Sequence, residues 1–158
     1  MDRIYAPWRS KYFTMPEEEG CLFCNIQNEK DDRRSGILAR GEYWYIILNT
    51  FPYTNGHIMV VPNRHIKDFG AVREEETGEM FEFLKKGEGA LRDVYNPDGI
   101  NVGVNLGRAA GAGIVDHLHF HMVPRWVGDT NFMTALAGTR VVSEDLEKSY
   151  RNLKPYFK

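Results

Sequence analysis

The sequence predicts an α+β domain in which an antiparallel sheet of about five strands carries a central helix and a C-terminal helix. Three observations lead there. Short β-prone runs lie on both sides of one long stretch of helical periodicity. Within that stretch Met80, Leu84, Gly87, Leu91 and Val94 step by four and three residues, with charges on the far side. The first two β-prone runs, YWYIIL at 43–48 and HIMVVP at 57–62, are joined by the turn-forming NTFPYTNG, the pattern of an antiparallel pair.

Taken in order, residues 1–20 are polar and proline-punctuated but carry Tyr5, Trp8 and Tyr12, which reads as an arm lying over other parts of the molecule. Residues 21–35 begin with CLFCNI, a short helix ahead of the charged turn KDDRRSG. A short strand at 37–39 precedes the two longer ones. In the central helix Gly87 and Gly89 lower intrinsic propensity and mark close packing against a sheet. Asn96-Pro97-Asp98-Gly99 ends that helix in a turn. INVGVNLG is the next strand, GRAAGAGIVD a loop of small residues, and 116–123 a strand rich in histidine. TRVV at 139–142 reads as a last strand before a helix over about 144–153, with Ser143 as its cap and Glu144 and Asp145 in the first turn.

The chain of 158 residues has the size of one domain, 1–158, with the arm at its N-terminus. A formal charge of -2 gives no extended nucleic-acid surface, because phosphate binding of that kind needs a concentrated basic face. No run approaches the roughly 18 apolar residues of a membrane span, and MDRIYAPWRSKYF lacks the apolar stretch of a signal peptide. The expected location is therefore cytoplasmic and away from membranes. In a reducing compartment the C-x-x-C pair Cys21 and Cys24 points to metal or redox work before a disulfide.

DHLHFHMVPRW holds three of the five histidines at alternate positions. On a strand His117, His119 and His121 share one face, spaced about 6.6 Å apart, while Leu118, Phe120 and Met122 take the other. Strand propensity accounts for the apolar set but not for the imidazoles. Two duties fit them: part of a metal shell, or acid–base and nucleophilic work by a ring whose second nitrogen is held by an acceptor. Gly107, Gly111 and Gly113 before the strand let backbone N–H groups approach an anion, although the P-loop order is absent and a tight turn without ligand explains them equally. Arg108 and Arg125 bracket this segment as phosphate partners or as plain surface charges. Tyr45, Ile46, Leu48 and Phe51 are candidates for a base slot or for core. Asp116, alone and facing away from the histidines, supplies no carboxylate cluster for a catalytic metal.

HLHFHMV matches H-φ-H-φ-H-φ-φ, with φ an apolar residue, and so resembles the signature of the histidine-triad superfamily of nucleotide hydrolases and transferases. The similarity extends from about Cys21 to Arg125 and includes the spacing of Asn49, His57 and His65, and Asn105 before the glycine loop. MDRIYAPWRSKY and AAGAGIVDHLHFHMVPRW look most like the bacterial branch that includes diadenosine tetraphosphate phosphorylases. The resemblance implies the HIT-like fold and a set of roles. His119 would be the nucleophile that carries a nucleotidyl group, His121 would contact the α-phosphate or bridging oxygen, and His57 would approach the phosphates. Asn49 would bond the ribose, Asn105 would lie near the leaving group, and Gly111, Ala112 and Gly113 would offer backbone donors. Having His121, where the related uridylyltransferases have glutamine, makes transfer onto a sugar phosphate the weaker reading. Ile114 stands where several hydrolases have a polar donor, and the loop is one residue longer than in the smallest of them.

The same resemblance implies a structural zinc ion held by Cys21, Cys24, His65 of the PNRH turn and His117, with no metal directly at the nucleophile. It also implies a homodimer, with Met80, Phe83, Leu84 and Leu91 serving that contact or their own core, and Trp126 and residues 150–157 near a neighbour's site. The expected partners are a nucleotide or dinucleoside polyphosphate and, as second nucleophile, water or inorganic phosphate. Three function classes stand beside one another: an enzyme on nucleotide phosphoanhydrides or phosphoramidates, a nucleotide-binding regulator with weak turnover, and a zinc-stabilised interaction module. The last leaves His119, His121 and the glycine loop without a task.

Overall fold

The computed structural model describes residues 20–130 and 142–157. Helices α1 (Leu22–Gln27) and α2 (Asp32–Ser35) come first. The charged stretch expected as a plain turn is thus itself a helical turn. The Asp31 carboxylate accepts the Arg33 and Arg34 amides, and left-handed Gly36 closes it. Strands β1 (Ile37–Arg40), β2 (Trp44–Leu48) and β3 (Ile58–Pro62) follow. After them come α3 (Glu74–Tyr95), β4 (Gly99–Val104), β5 (Phe120–Arg125) and α4 (Leu146–Leu153).

The five strands form one sheet in the order β1-β2-β3-β5-β4, with every neighbouring pair antiparallel. β3 and β4 therefore run the same way, joined by the α3 crossover, and β5 fills the gap between them. The central strands β2 and β3 are buried on both faces, whereas β4 is partly exposed. One face packs Trp44, Ile46, Ile58 and Phe120 against Ala90 and Leu91 of α3 and Leu153 of α4. The other packs Tyr45, Ile47, Met59 and Val61 against Phe23 of α1. Burial on both sides explains why β2 and β3 read as continuous apolar runs without alternation. Met80, Phe83 and Leu84 lie partly buried against the first cluster, so they serve this chain's own core.

α3 is tied down at its start. Glu76 accepts the Arg73 amide at 2.8 Å and pairs with the Arg64 guanidinium at 2.6 and 2.8 Å. That pairing holds the Glu76 carboxyl down at about 2. Glu79 accepts the amides of Glu42, Tyr43 and Trp44, and so fixes the β1–β2 turn to the helix.

Several expectations need correction. The histidine strand starts at Phe120 instead of 116, because the Leu118 amide donates to Ile66 O at 2.6 Å and not to a neighbouring strand's ladder. The alternation survives all the same: Leu118, Phe120 and Met122 belong to the helix-side core. Asp145, not Ser143, caps α4, accepting the Lys148 amide at 2.8 Å, while Ser143 bonds Asn55. Of the two helix glycines only Gly87 meets the sheet. A Cβ there would sit 2.8 Å from Met122 Sδ and 3.1 Å from Ile58 Cδ1, whereas one at Gly89 would meet nothing within 4 Å. The arm at 1–20, but for Gly20, and the strand at 139–142, but for irregular Val142, lie outside the described residues. Among the described residues no helix is long and apolar enough to cross a membrane.

The two glycines make a paired test of this packing. Gly89→Ala is expected to stabilise by up to about 1 kcal/mol through helix propensity. Gly87→Ala is expected to lose about 1–3 kcal/mol through overpacking against Met122 and Ile58. Urea midpoints of the two variants check the opposite signs.

Candidate active site

The strand register brings the histidines together. In β5 His121 faces Met59 of β3 on one side and Gly103 of β4 on the other. A Cβ at Gly103 would meet nothing within 4 Å, so the face beside His121 is open there. His57 sits just before β3 and is buried; its Nε2 lies 2.9 Å from His121 Nδ1. The His119 and His121 ring centroids are 4.9 Å apart, closer than the strand rise predicts, because the chain around His119 has left the regular ladder.

Fixed donors and acceptors settle where the ring protons reside. The Tyr53 amide can only donate, and it donates to His57 Nδ1 at 3.1 Å. His57 therefore carries its proton on Nε2 and gives it to His121 Nδ1, which leaves the His121 proton on Nε2. His119 Nδ1 lies 2.8 Å from the His117 carbonyl oxygen, which can only accept, so its proton is on Nδ1 and Nε2 keeps a bare lone pair. Burial holds these rings neutral. Desolvation, then His121 and His119, push His57 down to about 3; desolvation and His119 push His121 down to about 4. His119, 4% exposed, is also lowered by burial, with the bond to His117 acting in the opposite sense.

His117 turns the other way. Its Nε2–H donates to Pro62 O at 2.9 Å, and its Nδ1 lies 3.2 Å from Cys21 Sγ and 3.6 Å from Cys24 Sγ. His65 Nδ1 is 3.5 Å from Cys24 Sγ, and the four donor atoms lie within 4.8 Å of one another. The bond lengths of tetrahedral zinc imply an S···N edge of about 3.6 Å, so two thiols and two imidazoles at these separations fit a four-coordinate ion. The Pro62 carbonyl supplies the outer hydrogen bond that orients such a ligand. These four residues could hold a metal ion, the set that the family resemblance implies.

The remaining expected residues are placed unevenly. Asn49 Oδ1 accepts the Phe51 amide at 2.8 Å, and its Nδ2 is 3.4 Å from both nitrogens of His57, which sets it over that ring. Asn105 follows the end of β4. In the glycine loop the Gly111 and Ala112 amides already donate to Arg108 O and Gly107 O, whereas the Gly113 amide donates to no described backbone carbonyl. Gly107 and Gly111 have φ of +82° and +89°, which is where the loop needs glycine. Arg125 is occupied by Asp129 at 2.6 and 2.8 Å and by Asn101, which leaves it a surface ion pair. Ile46 and Leu48 are core on the helix side; Tyr45 faces the other way and donates its hydroxyl to Phe23 O. A cleft of about 1010 Å³ runs between Cys21 and His65 on one wall and Gly113, Ile114, Val115 and Asp116 on another, with Arg108 at its edge. His57, His119 and His121 do not line it.

Two residues of this site escape a reading of the sequence. Phe23 lies 5.4 Å from the His117 ring and 5.0 Å from the His119 ring, a wedge between the metal-type cluster and the bare imidazole. Tyr53 covers His57 and His121 at 4.6 and 5.8 Å. Both sat in segments whose only visible signal was helix or turn.

The neutral pair His57 and His121 gives the protein a pH signature. Both titrate below the ordinary 6.5 when folded, so protons bind the unfolded chain preferentially. Their contribution is complete above pH 6.5 and is lost as pH falls toward 4. Urea midpoints from pH 7.5 to 4 are expected to show this fall, and to show a shallower one for His57→Gln. Equal slopes would refute the desolvated neutral pair.

Comparison with known proteins adds a family. The HIT domain matches residues 30–127. An AP-4-A phosphorylase of Mycobacterium tuberculosis (strain ATCC 25618 / H37Rv) is 40% identical over 162 residues, spanning 97% of this chain and 83% of the relative. Among solved structures, a Zn-bound histidine triad family protein from Mycobacterium smegmatis superposes with a TM-score of 0.68 and 29% identity, covering 87% of this chain and 92% of its own. A hypothetical histidine triad nucleotide-binding protein from Sulfolobus tokodaii strain7 gives 0.68 and 26%, covering 86% and 91%.

Proposed function

The chain belongs to the HIT domain family, and on that premise we propose that it cleaves a phosphoanhydride of a dinucleoside polyphosphate through a nucleotidyl–His119 intermediate, with inorganic phosphate as the acceptor. The observation that carries this reading is the His119 bond to the His117 carbonyl, which leaves Nε2 unprotonated and the ring oriented. A neutral imidazole with a bare nitrogen is a nucleophile ready for phosphorus.

In the first step the Nε2 lone pair attacks the α-phosphorus, an N–P bond forms, and the bond to the bridging oxygen breaks. The electron pair leaves with the outgoing phosphate chain. His121, protonated on Nε2 and held by His57, donates a hydrogen bond to that oxygen, and the Gly113 amide and Asn105 support the phosphate charge. Asn49 serves the ribose. The roles of Gly111 and Ala112 are to shape the loop, since their amides are engaged within it. In the second step a phosphate oxygen attacks the same phosphorus, the N–P bond breaks, and a nucleoside diphosphate leaves with His119 regenerated. The name of the 40% identical relative favours phosphate over water as this acceptor.

Zinc on Cys21, Cys24, His65 and His117 is the structural part of the proposal. Four protein donors leave no place for substrate, so the ion would tie α1 and the PNRH turn to the residue whose carbonyl orients His119. A homodimer is proposed through β4, one of the two outer strands of the sheet, which pairs on one side only and presents Val102 at 51% exposure.

Three experiments test these statements. With diadenosine tetraphosphate and phosphate the protein is expected to release ADP and ATP; AMP and ATP at an unchanged rate without phosphate would overturn the acceptor. His119→Ala is expected to abolish turnover, at least about a thousandfold, and retained turnover would remove the nucleophile. The purified protein is expected to hold one zinc per chain. Cys24→Ser is expected to lose it and to melt at lower temperature, measured by metal analysis and thermal unfolding.

A further inference from the structure

Tyr53 belongs to the segment between β2 and β3, which is held at several points. The Asn49 amide donates to His57 O, the His57 amide to Thr54 O, and the Thr54 hydroxyl to Pro124 O. Asn55 further ties it to Ser143. On this anchored loop the Tyr53 ring lies 4.6 Å from the His57 ring and 5.8 Å from the His121 ring, close to parallel with the latter at 29°. It is nevertheless 43% exposed. The two imidazoles are its ring neighbours among the described residues, so one side of the phenol is spent on them and the rest meets solvent.

The rings form an ordered row. His119 contacts His121, His121 contacts His57 and Tyr53, and Tyr53 is the most exposed member, ahead of the partly buried His121. If phosphorus is bound at His119 and His121 meets the departing oxygen, the departing half of the substrate passes next over Tyr53. We propose that Tyr53 is a specificity-determining residue, a stacking platform for the aromatic base on the leaving nucleotide of a dinucleoside polyphosphate. This rests on the nucleotidyl-transfer reading above and adds to it what distinguishes a two-base substrate from a one-base nucleotide. Stacking of a base on an aromatic side chain is sequence-tolerant and strong enough to discriminate by tenfold or more. The bond that sets the His57 tautomer comes from the Tyr53 backbone amide, so replacing the ring leaves that bond available.

The test uses two ligands that differ only in the outer nucleoside: diadenosine tetraphosphate and adenosine 5′-tetraphosphate. Calorimetric affinities are measured in a His119→Ala background, where turnover does not interfere, with Tyr53 intact, as Tyr53→Phe and as Tyr53→Ala. Tyr53→Ala is expected to weaken the two-base ligand about tenfold and the one-base ligand less than about twofold, while Tyr53→Phe retains both. Equal loss on both ligands would make Tyr53 a structural cover for the imidazoles and overturn the proposal, as would no loss on either. The kinetic counterpart, kcat/KM on both substrates with His119 present, separates the two readings. Discrimination in binding without any turnover refutes nucleotidyl transfer and leaves the platform standing; turnover of both substrates with no ligand-dependent effect of Tyr53→Ala refutes the platform alone.

Discussion

Residue 117 acts in two directions at once. Its carbonyl takes the Nδ1 proton of His119 at 2.8 Å, while its own ring is pinned by Pro62 O and presents Nδ1 to Cys21. Backbone and side chain of one residue thus connect the Cys/His cluster to the imidazole with the bare nitrogen. The connection is short because the chain leaves its β-ladder here, with the Leu118 amide turned to Ile66 O.

Around that point the protein uses desolvation to fix protonation. His57 and His121 are kept neutral first by desolvation, with His121 and His119 adding to it at His57 and His119 adding to it at His121, and a backbone amide sets the proton order along the row. Such an arrangement needs no carboxylate partner. It does need rigid neighbours, which explains why the loop carrying Tyr53 is anchored at both ends and why Arg64 and Glu76 fasten the turn that precedes His65 to the start of α3.

Much of this was legible in the sequence. Apolar runs and helical spacing gave the strands, the central helix and the fold class, because burial on a two-sided sheet leaves a strong compositional trace. The C-x-x-C pair Cys21 and Cys24 was legible as a metal or redox motif, while His65 and His117 joined it only through the resemblance to the histidine-triad family, because their spacing alone singles out no ligand set. What escaped detection depended on tertiary geometry. Phe23 reads as an ordinary apolar helix residue until its ring is seen between His117 and His119. Arg125 reads as a free cation until Asp129 is seen to occupy it. Ser143 and Asp145 are both acceptable caps, and the choice is made by Asn55, 88 residues away from Ser143 in sequence. The glycine loop suggested three amide donors, but a short turn spends two of them internally.

The position of β5 between β3 and β4 has a consequence for how the molecule is made. His121 borders Met59 and Gly103, segments that enter the chain before it, and among the described residues its strand is the last of the sheet. Until β5 has been synthesised, β3 and β4 lack the strand that pairs with both. The donor set behaves likewise, since two thiols near the start meet their final imidazole only after residue 117 has emerged. Pairings of this sequence separation are slow to form. A ribosome-bound fragment ending before residue 117 therefore holds neither the complete ligand cluster nor the nucleophile, and both arrive within a few residues of each other.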